Sequence, residues 1–226
     1  MIVSVHQPQY IPWIGYFHKI AKSDEFVILD NVQYKKREFQ NRNKILTKTG
    51  PIWLTVPVIT KERFLQKISE VEIDNTVRWQ EKHWESIKFN YSHSKYFKDY
   101  KNKFEDIYAK NWVKLSDLNS EIVYLILKCF NIETPIKIES ALNITGTSTQ
   151  RIINICDKLG ADTYLSGAGG KEYMDESLFE KEKIKLIYQD FKHPQYSQAC
   201  TGFEPYMSAI DLLFNCGPES VNLVRG

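Results

Sequence analysis

The sequence predicts an α/β fold: a mainly parallel sheet that opens with a βαβ unit, plus a helical insert over about residues 76–130. Three observations carry that expectation. Short apolar runs recur along the chain and stop at polar or glycine-rich segments, as buried strands do. The first two runs flank a segment of helical period, giving strand, helix, strand. From Thr76 to about Phe130 the apolar spacing lengthens, and Leu115, Leu118, Ile122, Leu125 and Cys129 fall on one helical face.

Ile2 to Val5 is too short for a helix and is expected as the first buried strand. It stops at His6-Gln7-Pro8, where proline removes a donor and biases Gln7 to extended geometry. After Pro12, Trp13 to Ala21 is expected as a helix, with Trp13, Phe17 and Ile20 on one face. Phe26 to Leu29 is the second strand and ends at Asp30-Asn31. A basic, polar stretch from Tyr34 to Lys48 reads as a solvated loop, followed by a Gly50-Pro51 turn. Ile52 to Ile59 is β-rich, but Pro57 argues for an edge position, with Val71 to Ile73 pairing near it. Two or three helices rich in Trp and Tyr fill the insert.

Beyond Pro135, Ile136 to Ile138 returns to strand, and Ser148 to Leu159 reads as a helix stopped by Gly160. Thr163 to Leu165 is a strand that opens into Ser166-Gly167-Ala168-Gly169-Gly170. Asp175 to Lys183 is helical, Lys185 to Tyr188 is the last strand, and Ser208 to Phe214 is a final helix closed by Gly217-Pro218. The 226 residues are expected to form one domain carrying the insert as a subdomain.

Hydrophobic residues at 42% and charged residues at 26% give the balance of a soluble globular protein. The net charge of +2 supplies no global field for nucleic acid or an anionic membrane, so any basic site must be local. Nucleic acid is therefore not the expected partner. Cys129, Cys156, Cys200 and Cys216 share no C-x-x-C spacing, and none of the five histidines has a metal-binding spacing. Neither a metal nor another cofactor is expected. Met1 to Tyr10 lacks a secretory pattern, and no run nears the ~20 apolar residues needed to span a bilayer. A reduced, cytoplasmic setting without membrane insertion is the expectation.

Polar residues gather where the strands end: His6 and Gln7, Asp30 and Asn31, Glu139 and Ser140, Ser166 and Gly167. Strands also end wherever the surface begins, so each pair alone says little. In open parallel sheets, however, ligands bind beyond the carboxyl ends of the strands, and four such ends together would make one site. The Ser166–Lys171 turn is sharper. Gly167, Gly169 and Gly170 expose backbone N–H groups with no Cβ in the way, and Lys171 adds charge, which is how phosphate is cradled. It matches neither the Walker nor the dinucleotide spacing. Lys35, Lys36, Arg37, Arg42 and Lys44 add five cations beside Tyr34 and Phe39, a run that by itself is ordinarily solvated. His6 is the candidate general base, because it ends a strand and titrates near neutrality.

Several of these segments resemble the WbqC-like family. The resemblance rests on His6-Gln7-Pro8-Gln9-Tyr10-Ile11-Pro12-Trp13-Ile14-Gly15-Tyr16, on Asp30-Asn31-Val32-Gln33-Tyr34 and on Gln40-Asn41-Arg42-Asn43. It continues through Tyr164 to Tyr173, Tyr188-Gln189-Asp190-Phe191, His193-Pro194-Gln195-Tyr196 and Ser208 to Gly217. The family is associated with O-antigen and other surface-polysaccharide genes. The resemblance implies a transferase that acts on a nucleotide-linked amino sugar, or another phosphorylated small molecule, with an acyl or aminoacyl donor. On that view His6 and Asp30 are catalytic. Gln7, Tyr10, Gln33, Arg42, Ser166, Gly167, Gly169, Gly170, Lys171 and Tyr173 contact substrate. A nucleotide-dependent ligase or nucleotidyl-transfer enzyme, and a non-catalytic sugar- or RNA-binding module, are the alternatives.

Overall fold

Ile2–His6 forms β1, the central strand of a five-stranded, all-parallel sheet. The computed structural model describes residues 1–199 and 202–226, so Cys200 lies outside the described residues. Val3, Ser4 and Val5 are all buried, as expected of a strand covered on both faces. The one polar member, Ser4, accepts a hydrogen bond from the Ser23 hydroxyl at 2.7 Å. β1 leads through α1 (Ile14–Ala21) to β2 (Glu25–Ile28), which completes the expected βαβ start.

The chain then leaves the sheet for a hairpin of β3 (Arg42–Thr47) and β4 (Gly50–Thr55), and for helices α2 (Trp79–Tyr91), α3 (Phe97–Ala109) and α4 (Leu115–Cys129). It returns as β5 (Ile136–Ile138), α5 (Ser148–Leu159), β6 (Thr163–Ser166), α6 (Glu176–Lys181) and β7 (Lys185–Tyr188). Two C-terminal helices follow, α7 (Ala209–Cys216) and α8 (Ser220–Arg225).

The sheet order is β5-β2-β1-β6-β7. The chain runs outward from β1 to β5, crosses back to β6 beside β1, and runs outward again. Side-chain alternation divides the core accordingly. Val3, Val5 and Val27 pack with Ile152, Ile153 and Phe179 of α5 and α6. Phe26 and Ile28 point to the other face, into one cluster with α1, the three helices and α7.

Two expectations need correction. The turn falls at Lys48-Thr49, not Gly50-Pro51, and a strand occupies Arg42–Thr47, inside the stretch read as a loop. The charges hid its alternation: Asn43 and Ile45 point inward and are buried, while Arg42 and Lys44 lie outward. Second, α7 closes at Gly217 as expected, but it is not the final helix, because α8 follows.

Candidate functional site at the sheet reversal

The β1–β6 pairing stops at Ser4 and Leu165. One residue further, the Val5 carbonyl accepts a hydrogen bond at 3.0 Å from the Lys19 ammonium instead. Lys19 comes from the α1 helix, whose Gly15, Tyr16 and Lys19 share one face toward this gap. It is only 2% exposed, and no carboxylate pairs with it among the described residues. Burial alone drags its pKa down from 10.5 to about 7. A buried cation without a counter-ion is costly, and such perturbed groups concentrate where ligands bind.

Lys19, His6, Trp13, Tyr16, Gly167, Ala168, Gly169, Gln189, Asp190 and Phe191 line one cavity of about 340 Å³. It lies where the sheet order reverses, at the carboxyl ends of β1, β6 and β7, the usual ligand crevice of doubly wound folds. The glycine-rich turn forms one wall. Ala168–Glu172 makes a single 3-10 turn, whose first N–H groups lack partners within the turn. A Cβ on Gly167 would sit 3.8 Å from the Lys19 ammonium, which places turn and cation side by side.

Gly170 has a different task. A Cβ there would fall 2.0 Å from the hydroxyl of buried Ser166, which donates to the Gly167 carbonyl at 3.1 Å. Gly170→Ala should therefore destabilise the fold by about 1–3 kcal/mol, the usual cost of overpacking, read as a lower denaturant midpoint.

His6 stands opposite Lys19. Its Nδ1 is 3.0 Å from the Gln7 carbonyl, which can only accept, so Nδ1 carries the proton and Nε2 keeps a free lone pair. Burial first, then the Lys19 charge, lower its pKa to about 3 despite the Gln7 carbonyl, so the imidazole is neutral at physiological pH. The Tyr16 ring holds it edge-on at 4.9 Å.

Trp13 and Phe191 supply an aromatic wall, their rings 5.6 Å apart. Trp13 lies flat over Gly15, where a Cβ would come within 2.2 Å of the indole, so glycine is required there. Gln189 pins the end of β7 to α1, donating at 2.8 Å to the Gly15 carbonyl.

The segment leaving β1 is clamped. Ile11, buried and β-branched, has φ +37°, a strained value for such a residue. The Asn43 amide holds it by donating to the carbonyls of Tyr10 and Ile11 at 3.2 and 2.9 Å. Gln40 donates to the Gln7 side chain at 2.7 Å, and Asn41 to the Val56 carbonyl at 2.8 Å. The Gln40–Asn43 motif is thus a brace for the loop beside the cavity.

Of the residues singled out from the sequence, His6, Gly167 and Gly169 line the cavity, and Ser166 and Gly170 shape its turn. The others sit elsewhere. Tyr10 is wholly buried, its hydroxyl bonded to His83 and Tyr108 at 2.8 and 2.6 Å. Gln33 donates to the Phe64 carbonyl, Arg42 lies over the Trp53 ring, and Lys171 faces the Tyr188 ring. Tyr173 is exposed. Gln7 is spent on Gln40.

Asp30 belongs to a latch between the ends of β2 and β5. Both its carboxylate oxygens accept from Ser140, one from the backbone N–H at 2.9 Å and one from the hydroxyl at 2.7 Å. Beside it, fully buried Glu139 pairs with Arg151 at 2.7 Å and accepts from the Asn31 N–H. Asp30→Ala should leave the Ser140 N–H unpaired and cost about 1–3 kcal/mol of stability, measurable by urea titration.

Lys19, Trp13, Gln189, Asp190 and Phe191 were not foreseen as cavity residues. Lysine in a helix reads as solvated, and only the absence of any polar face over Ile14–Ile20 could have hinted otherwise.

Fold and cavity define an α/β protein of doubly wound type with a crevice at the sheet reversal, lined by a buried lysine, a neutral histidine and a glycine-rich turn. Residues 7–223 match the model of the WbqC-like protein family. The chain is also 39% identical over 225 residues to an uncharacterized protein of Mycobacterium tuberculosis, covering 99% of this chain and 97% of the relative. The chain therefore belongs to the WbqC-like family. No solved structure matches it.

Proposed function

We propose that the protein is a transferase that modifies a nucleotide-linked amino sugar by acyl or aminoacyl transfer, in the assembly of a surface polysaccharide. The observation that carries this reading is the unpaired, buried Lys19 ammonium facing a glycine turn and a neutral histidine in one cavity. A phosphate placed there is the counter-ion the site lacks, and turn N–H groups bind it without side-chain obstruction. Trp13 and Phe191 offer flat apolar faces to a sugar or base, and Asp190 offers a carboxylate to sugar hydroxyls.

The chemistry follows from His6. The amine of the sugar attacks the acyl carbonyl, the C–N bond forms as the acyl–donor bond breaks, and Nε2 takes the proton the amine loses. The donor's leaving group departs with the bonding pair. The bound anion also offsets the Lys19 charge that depresses His6, which makes the imidazole a stronger base with substrate in place. Asp30 acts at one remove by fixing the neighbouring strand ends.

The reading is tested by supplying a uridine-diphosphate amino sugar with candidate acyl donors and following N-acylated product by mass spectrometry. Product that requires His6 supports it. Binding of the nucleotide sugar without product from any acyl or aminoacyl donor contradicts the reaction while leaving the ligand class intact.

A further inference from the structure

On the outward face of the β3–β4 hairpin, Trp53 is flanked by the Arg42 guanidinium at 4.3 Å, the Lys44 ammonium at 5.6 Å and the Phe39 ring at 5.8 Å. The 35–39 segment extends this surface to the next loop, where the Lys36 ammonium stands 5.8 Å from the Phe64 ring. Phe64 and its neighbour Leu65 are 75% and 82% exposed. Two adjacent large apolar side chains this bare are unusual on a globular protein and mark an interaction site.

The charge around them is equally uneven. Lys35, Lys36, Arg37, Arg42 and Lys44 stand against one acid, Glu38, over residues 35–44 on a chain whose total is +2, while beside Phe64 the Arg63 guanidinium is paired with Glu72 at 2.8 Å. The partner of this surface is therefore anionic, and a second copy of the same face would be repelled. Aliphatic Leu65 has no ring for a nucleobase to stack on, and the Trp53 ring already lies against Arg42. Exposed Phe, Leu and Trp among lysines and arginines are what the headgroup boundary of an anionic membrane accepts: apolar tips enter the acyl region and cations meet the phosphates.

We infer that this surface docks the protein on an anionic lipid bilayer, with Phe64 and Leu65 as the inserting tip. The docking needs no spanning segment, and among the described residues no helix is long and apolar enough to cross a membrane. The surface is fixed to the chain leaving β1, through the Gln7–Gln40 bond and the Tyr10 N–H donated to the Phe39 carbonyl at 3.0 Å. This inference stands independently of the chemistry assigned to the cavity.

The test is co-sedimentation of the full chain with vesicles of equimolar phosphatidylglycerol and phosphatidylcholine, against phosphatidylcholine alone. Binding is expected to the first and not the second, and to weaken as salt is raised. A Phe64→Ser/Leu65→Ser double variant should keep the parent's melting curve, since both side chains are solvent-exposed, and lose at least about tenfold in partitioning. Three results each overturn the inference: no binding to anionic vesicles, equal binding to both vesicle types, or undiminished binding by the double variant. A labelled single-stranded oligonucleotide that binds the parent and displaces it from vesicles would assign the face to nucleic acid instead.

Discussion

Replacing Lys19 with methionine should make the protein more stable and unable to hold its ligand. The native pKa near 7 lies below the unfolded value of 10.5, so below pH 7 the native state bears the full cost of burying the charge. Between pH 7 and 10.5 the unfolded chain binds more protons than the native one, and stability rises with pH until the cost disappears. At about 1.4 kcal/mol per pKa unit the cost below pH 7 is at most about 5 kcal/mol. Methionine removes it, and the Val5 carbonyl loses its partner for about 1–3 kcal/mol in return. A net gain of up to about 2–4 kcal/mol is expected at pH 6, turning into a loss of about 1–3 kcal/mol near pH 10.5, where only the missing Val5 hydrogen bond is left. Ligand affinity should fall at least about thirtyfold, because truncating one side of a buried charge pair costs about 2 kcal/mol or more. In the parent, affinity for the anionic ligand should weaken as pH rises past 7 and Lys19 loses its proton. Melting curves across pH and a binding titration read all three effects.

The second large effect is kinetic. His6→Asn should keep the fold and lower turnover by about 10²–10⁴-fold, the usual contribution of a general base. Because the imidazole stays neutral down to about pH 3, no acid limb from His6 should appear in the physiological range of the free protein. A single-turnover rate on ligand-saturated variant, taken with its melting curve, is the check. A rate equal to the parent's would remove His6 from the reaction.

Much of the fold could be read locally, because each buried parallel strand is a short apolar run between punctuating residues. Ser148–Leu159 with Gly160 behind it is a clear case: amphipathic spacing begins and ends the helix, and Gly160 takes φ +70° at its end. Strand β3 was hidden because its solvent face carries Arg42 and Lys44, which read as loop when counted and as strand only when alternated. Strand order is not a local property, so the β1–β6 reversal that creates the crevice had to come from the structure. The same holds for Asp30. Its position after a strand marked it as a site residue, yet its oxygens are directed at Ser140, and no spacing between residues 30 and 140 announces that partnership.

Lys19 shows the limit most sharply. Its chemistry comes from a missing neighbour rather than a motif: a cation enclosed by Tyr16, the Gly167 turn and the open end of β1, with no carboxylate in ion-pairing distance among the described residues. The Gln40-Asn41-Arg42-Asn43 motif shows another use of polar residues, since Gln40, Asn41 and Asn43 serve as scaffolding for a strained loop.

On the proposed function, the crevice holds a phosphorylated sugar through Lys19. This is tested most directly by the thermal shift of the parent and of Lys19→Met with a uridine-diphosphate amino sugar at pH 6. Ligand at a hundred times its dissociation constant should stabilise the parent by roughly 2.7 kcal/mol. At the same concentration the variant should show only a small part of that gain, although it starts from a higher melting temperature. Equal stabilisation of both proteins, or none of the parent across nucleotide sugars, would contradict the account.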